Sequence, residues 1–102
     1  MYIVLYRWRI RAGKEEQFVT AWAEVTAYYR RHFDSLGSRL HRGGDGLFYA
    51  YAQWQSAADR QAAFAGLPDL EIRTRMKEAV EETFPEVELE MLSDYLIWPE
   101  AT

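Results

Sequence analysis

The sequence predicts an α+β fold of the ferredoxin-like, split βαβ type, with helices on one face of an antiparallel sheet. Two segments, residues 2–10 and 47–54, are apolar on both of the faces that alternate along a strand. Two other segments carry apolar residues at helical spacing. Turn and stop signals separate these segments in the order strand, helix, strand, strand, helix, strand.

The first strand is predicted over Tyr2–Ile10 and ends at Ala12-Gly13. Its two faces are Tyr2, Val4, Tyr6 and Trp8 on one side, and Ile3, Leu5, Arg7 and Arg9 on the other. A sheet with one wet face shows a cleaner alternation of polar and apolar residues. Both faces of this strand therefore need a cover.

A helix is predicted to follow, with one apolar stripe formed by Phe18, Trp22, Val25 and Tyr29. Acidic residues lie in its first turn, and Arg30, Arg31 and His32 lie at its end, where cations complement the helix dipole. This position gives His32 a structural explanation, and catalysis is the alternative.

Two strands and a hairpin come next. Gly37 is predicted to end the linker after the helix, and Ser38–Arg42 is predicted to be a short strand. The run Gly43–Gly46 is a turn signal, and Leu47–Trp54 is the next predicted strand.

The last third of the chain is predicted to contain two helices and one strand. Ser56 has the features of an N-cap for a short helix that Gly66 ends. A second helix is predicted from Pro68-Asp69 to Phe84, where Pro85 stops it. Its stripe consists of Ile72, Met76, Ala79, Val80 and Phe84. Val87–Trp98 is predicted to be the final strand.

One face of the sheet has no predicted cover within the chain. Its apolar residues are Ile3, Leu5, Tyr49 and Tyr51. Large exposed apolar patches are rare on monomers, and a typical interface buries roughly 800 Å² per partner. We therefore expect a homodimer joined through these faces, with a heteromeric partner as the alternative.

The formal net charge is −4, unevenly distributed. Basic residues prevail before residue 47 and acidic residues after it, without the basic stripe of a nucleic-acid-binding protein. The alternating charges of the end strands predict antiparallel pairing, with independent solvated edges as the alternative. The charges concerned are Arg7, Arg9 and Arg11 on the first strand, and Glu86, Glu88 and Glu90 on the last.

The length of 102 residues predicts a single domain over residues 1–102. Without cysteine, disulfide and thiolate chemistry are excluded. The apolar start is too short for a membrane span and carries three arginines, so we expect a cytoplasmic protein that does not enter membranes. No metal-ligand spacing, phosphate-binding loop or nucleophile elbow is present.

Three motifs resemble the antibiotic biosynthesis monooxygenase family. They are Arg-Ala-Gly-Lys-Glu-Glu-Gln-Phe at 11–18, Gly-Ser-Arg-Leu-His-Arg at 37–42 and Tyr-Ala-Gln-Trp-Gln-Ser at 51–56. The resemblance covers nearly the whole chain and implies a dimeric α/β barrel with a pocket between each sheet and its helices. It implies oxidation of quinols or anthrones without metal or flavin, or, in another branch, haem degradation. Many members have no established activity.

The catalytic residues of the haem-degrading branch are only partly matched. That branch uses an Asn on the first strand, a Trp at the end of the third strand and a His on the later helix. Trp54 matches the Trp, but Tyr6 stands at the Asn position, the chain has no Asn, and residues 69–84 have no His. Haem degradation by that mechanism is therefore disfavoured. The resemblance also supplies no catalytic base for a monooxygenase reaction.

Oxygenation without a cofactor requires an electron-rich substrate, a dry cavity, a base and donors for a developing oxyanion. The candidate catalytic residues are Trp54, Tyr6 and His41, and the candidate pocket residues are Val4, Trp22 and Phe48. Packing is the alternative for the rings, and an exposed strand position is the alternative for His41. Arg39 and Arg42 are candidates to bind an anion, with protection of a strand edge as the default.

Two functional hypotheses follow. The first is a small monooxygenase that acts on an electron-rich aromatic such as a quinol or anthrone. The alternative is a non-catalytic dimeric barrel that binds an apolar metabolite or stabilises a partner. Because one fold supports both, a ligand-sized cavity beside Trp54 with a titratable group inside it is the discriminating feature.

Overall fold

The computed structural model describes residues 1–65 and 71–99. The elements in chain order are β1 (Tyr2–Ile10), α1 (Glu15–His32), β2 (Ser35–Arg42), β3 (Phe48–Trp54), α2 (Ala57–Ala65), α3 (Glu71–Glu78), β4 (Val80–Thr83) and β5 (Val87–Glu90). The sheet is antiparallel with the order β2-β3-β1-β4, and β5 also pairs with β1. This architecture confirms the predicted α+β, ferredoxin-like fold.

The core lies between the sheet and the helices. Phe18 of α1 meets Trp8 of β1 edge-on at 5.1 Å between ring centroids, and meets Phe48 of β3 at 5.7 Å. Ala50 and Ala79 complete this buried cluster. The predicted apolar stripe of α1 thus covers what we call the inner face of the sheet, and edge-to-face rings are a favourable way to fill that space.

The predicted hairpin between β2 and β3 is confirmed. The amide of Gly43 donates to the carbonyl oxygen of Leu47 at 2.8 Å, and Gly46 has a φ of 82°. β2 begins earlier than predicted, at Ser35, so Gly37 lies inside the strand and does not end a linker. Its φ of 99° falls where the register between Ser35 and Ser38 shifts, and such a bulge favours glycine.

The predicted long helix up to Phe84 is wrong. α3 ends at Glu78, the amide of Ala79 donates to the carbonyl of Met76, and Val80–Thr83 forms β4. The apolar spacing predicted helix through this segment, but β1 has an open edge that needs a partner. Pairing of β4 with Trp8–Ile10 supplies it, so tertiary contact overrides the helical period.

The predicted antiparallel pairing of the last strand with β1 is confirmed, over a shorter range. β5 spans only Val87–Glu90, and residues 91–99 have no regular structure. Residues 84–86 separate β4 from β5, and each of these strands pairs with a different half of β1.

The predicted charge partners are wrong. Glu88 lies opposite Val4 and not opposite an arginine. Arg9 instead approaches Glu82 of β4 at 3.5 Å. Residues 80–83 form β4 and occupy the half of β1 that carries Arg9, so β5 with Glu88 pairs with the other half. Glu86 and Glu88 form ion pairs with Arg60 of α2 instead.

The outer face of the sheet has a partial cover from the chain itself, contrary to the prediction. Ile3 is only 2% exposed. The segment 91–99 starts with Met91 donating to the carbonyl of Met1 and brings the Trp98 ring to 5.0 Å from the guanidinium carbon of Arg39 on β2. The segment therefore crosses this face.

Three further points concern the helices. Ser56 is the N-cap of α2 as predicted, because its hydroxyl oxygen accepts from the amide of Asp59 at 3.2 Å. The predicted helix end at Gly66 and restart at Pro68-Asp69 lie outside the described residues. Across residues 1–65 and 71–99, none of the helices has the length and apolarity that crossing a membrane requires.

Candidate functional site

A cavity of about 520 Å³ opens between the inner face of the sheet and the helices. All the sheet strands except β5, and all three helices, contribute to its wall. Its aromatic lining residues are Tyr6, Trp8, Trp22, Tyr29, Trp54 and Phe64. The predicted ligand-sized cavity beside Trp54 is therefore present.

Three rings form one end of this cavity. Tyr29 of α1 stacks on Phe64 of α2, with 5.5 Å between the ring centroids and 21° between the planes. Trp54 of β3 meets both rings edge-on, at 6.0 and 6.4 Å. Stacked and edge-on rings suit the binding of a flat aromatic ligand, which adds another ring to the same set.

Trp54 lies where β3 ends and the connection to α2 begins. It is 3% exposed, and its indole nitrogen is buried with no hydrogen-bond partner among the described residues. A buried donor without a partner is uncommon and calls for an explanation. Trp54 therefore contributes its ring to the cavity wall, next to a buried donor that no described residue satisfies.

Tyr6 lines the cavity from β1 and is held by a cation. Nη2 of Arg60 donates to the Tyr6 hydroxyl oxygen at 3.0 Å and to the Glu86 carboxylate at 2.6 Å. Burial raises the pKa of Tyr6 to about 12, and the neighbouring Arg60 opposes this change. Tyr6 is thus a phenol, and a hydrogen-bond donor, at neutral pH.

The structure places one of the three predicted pocket residues at the cavity. Trp22 lines it from α1. Val4 and Phe48 do not: both are buried, and Phe48 packs against Phe18 in the core. Both residues belong to the inner face as predicted, but other side chains cover the positions at which they lie.

The structure places His41 outside this cavity, at the exposed strand position that was the alternative to a base in the pocket. On β2 it lies opposite Tyr49, which lies opposite Arg7, so it belongs to the outer face and is exposed. Its neighbour Leu40 pairs with Ala50 and faces the inner side. Alternation along the strand therefore turns His41 away from the cavity.

Several lining residues were not identified from the sequence. They are Tyr29, Ser38, Phe64, Arg73, Lys77 and Glu86, together with Arg60, which holds Tyr6 from behind. The sequence did indicate that Tyr29 faces the sheet, because it falls on the apolar stripe of α1. No sequence pattern indicated an inward position for Arg60, because a charged helix residue ordinarily faces water.

The titratable groups that line the cavity are phenols, cations and carboxylates. Burial raises the pKa of Tyr29 as it does that of Tyr6. Within the described ranges, no histidine lines the cavity, and no group of three or more His, Asp or Glu side chains could hold a metal ion. The site can stack a flat ligand and donate hydrogen bonds to it.

The chain is similar to several solved structures. One is SnoaB, a cofactor-independent oxygenase from Streptomyces nogalater, with 16% identity, a TM-score of 0.77, and coverage of 92% of this chain and 95% of SnoaB. A protein from Bordetella bronchiseptica named after antibiotic biosynthesis monooxygenases gives 17% identity, a TM-score of 0.77, and coverage of 90% and 97%. At these identities the likeness concerns the fold.

Comparison with sequences gives the family. No curated protein matches the chain in sequence. The family profile described as antibiotic biosynthesis monooxygenase matches residues 1–71, which include β1, α1, the β2–β3 hairpin and α2. The chain therefore belongs to the antibiotic biosynthesis monooxygenase family.

Proposed function

We propose that this protein is a small monooxygenase that oxidises an electron-rich aromatic, such as a quinol or anthrone, without a metal or flavin. The observation that carries the proposal is the ring-lined cavity of about 520 Å³. Its volume falls within the range of about 300–1,000 Å³ that is usual for small-molecule sites. Family membership supports the same reaction class.

The substrate itself supplies the electrons in this reaction. For an anthrone, the ring methylene loses two C–H bonds and gains a C=O bond to one atom of dioxygen. The second oxygen atom leaves as water with the two hydrogens, and the carbon gives up all four electrons. The protein's task is to bind the ring, stabilise its deprotonated form and exclude bulk water.

Oxygen uptake is the direct test. The purified protein is mixed with a panel of quinols and anthrones, and the consumption of dioxygen is compared with that of each compound alone. We expect faster uptake and one oxygenated product for at least one compound. Binding without accelerated uptake across the panel would instead support the non-catalytic binding hypothesis.

A cavity-filling variant shows whether the reaction takes place in this cavity. Thr26 of α1 lines the cavity, whereas Thr20 of the same helix is exposed. Thr26→Phe should abolish the accelerated uptake, and Thr20→Phe should leave it unchanged. Equal uptake in both variants would place the reaction elsewhere.

We also propose that the protein is a homodimer joined through the outer face of the sheet. The segment 91–99 crosses this face and carries five large apolar side chains that are 74–91% exposed. They are Leu92, Tyr95, Leu96, Ile97 and Trp98. Apolar patches of this extent are rare on monomers, and a second copy offers an equally apolar surface.

Sedimentation tests the dimer. We expect a dimer at micromolar concentration and a monomer for Ile97→Asp. Because Ile97 is 88% exposed, its replacement should leave the fold of each subunit unchanged. Val19→Asp, on the exposed side of α1, is the matched control and should remain dimeric. A monomeric wild-type protein would contradict the proposal.

A cytoplasmic location stays a prediction from the sequence.

A further inference from the structure

Arg60 is a cation in an unusually enclosed position. Its side chain is 12% exposed, and its guanidinium carbon lies 4.5 Å from the ring centroid of Phe64 and 5.7 Å from that of Tyr6. One of its nitrogens, Nη2, donates to both the Tyr6 hydroxyl and the Glu86 carboxylate. Arg60 thereby fixes the position of these two groups relative to each other.

Both groups held by Arg60 line the cavity, and each has hydrogen-bonding capacity left. The Tyr6 oxygen accepts from Arg60, so its own hydrogen is available, and no described residue accepts it. Glu86 receives Arg60 at Oε2, and Oε1 has no hydrogen-bond donor among the described residues. A polarised donor and a charged acceptor therefore stand side by side.

The spacing of these two groups matches one hydroxyl. The two hydrogens on Nη2 diverge, so the Tyr6 oxygen and Oε2 of Glu86, bonded to them at 3.0 and 2.6 Å, lie about 5 Å apart. Like Oε1, Oε2 has a lone pair for a further donor. A hydroxyl that accepts one hydrogen bond and donates another, each of about 2.8 Å, spans the same distance. A carbonyl or ether oxygen can accept from Tyr6 but has nothing to donate to Glu86.

We propose that Tyr6 and Glu86, positioned by Arg60, form a subsite that binds the hydroxyl group of an aromatic ligand. The ligand hydroxyl accepts from Tyr6 and donates to Glu86, while its rings lie among the aromatic residues of the cavity. The inference rests on the proposed function and narrows its substrate class to hydroxylated aromatics.

Binding without oxygen tests the subsite separately from catalysis. Calorimetry under anaerobic conditions compares a naphthol with its methyl ether, which keeps the oxygen but cannot donate. We expect the naphthol to bind about tenfold more tightly, because a hydrogen bond to a charged group contributes on the order of 1.5 kcal/mol or more. Equal affinities, or no binding of either compound, would overturn the proposal.

Substitutions of the three residues test the separate role of each in binding the hydroxyl group. Tyr6→Phe should weaken binding of both compounds, and Glu86→Gln should reduce the preference for the naphthol. Arg60→Met keeps most of the side-chain length but removes the nitrogen that donates to both oxygens, so it should also reduce the preference. Tyr28→Phe, which removes a phenol that does not line the cavity, should change neither affinity.

The two proposals fail in different ways. If the naphthol is preferred but no compound of the quinol and anthrone panel accelerates oxygen uptake, the subsite stands and the monooxygenase proposal fails. If oxygen uptake is accelerated but the methyl ether binds as tightly as the naphthol, the subsite is wrong. A preference that persists in folded Arg60→Met protein would show that Arg60 does not position the pair.

Discussion

The indole of Trp54 meets the ring of Tyr29 edge-on, with 6.0 Å between the ring centroids. This contact joins the end of β3 to the last turn of the long helix α1, and both residues line the cavity. Two residues that are 25 positions apart in the chain thus form one wall of the candidate site. The contact makes Trp54 a reporter of what the cavity holds.

Replacement of Trp54 should weaken ligand binding without unfolding the protein. A flat aromatic ligand should quench tryptophan fluorescence in the wild type, and Trp54→Phe should lower its affinity about tenfold through loss of ring area. The control is Trp98→Phe, because Trp98 is exposed and does not line the cavity. Unchanged affinity in Trp54→Phe would remove Trp54 from the site.

The phenol of Tyr6 should make the stability fall at alkaline pH. Its pKa is about 12 in the folded protein, against 10.0 as the ordinary value. The unfolded chain therefore loses this proton first, and the free energy of unfolding should decrease as the pH rises from about 10 to about 12. Below pH 10 this contribution is fully present.

Urea unfolding across this pH range measures the effect. In Tyr6→Phe the decrease should be smaller, because one late-titrating phenol is gone, and tyrosinate absorbance should lose one high-pH step. Tyr28→Phe is the control. A wild type and a Tyr6→Phe variant with parallel pH profiles would contradict the assignment.

Arg9 and Glu82 should show a measurable but small coupling. They lie opposite each other on β1 and β4, and both side chains are about half exposed. Reversal of either charge should destabilise the protein, and reversal of both should recover about 0.5 kcal/mol in a double-mutant cycle. The pair Arg7 and Glu88 should give additive effects, since the register separates them. Coupling in the second pair alone would mean that the register is wrong.

A side chain at Gly37 of β2 should destabilise the protein. Its φ of 99° is unfavourable for other residues, so Gly37→Ala should lower the free energy of unfolding by about 1 kcal/mol or more. Gly44→Ala, in the open hairpin turn, should change it by less than about 0.5 kcal/mol. Equal effects of the two substitutions in urea unfolding would contradict the bulge at Gly37.

The sequence by itself determined the fold class, the hairpin and the face on which α1 packs. These features depend on short-range patterns: alternation along a strand, apolar spacing along a helix, and glycines in a turn. The stripe through Phe18 and the N-cap at Ser56 are local, so they could be identified without a structure. The same alternation also assigned Tyr6 and Trp54 correctly to the inner face.

Only the tertiary structure decided where α3 ends, which charges pair, and which residues surround the cavity. Val80 continues a helical pattern, yet it joins the sheet because β1 offers unpaired backbone groups at that edge. His41 lies on a strand of the right sheet, but one position of register turns it outward. Arg60 reaches Tyr6 because α2 packs beside β3, the neighbour of β1 in the sheet. This relationship joins residues 54 positions apart, and no local pattern encodes it.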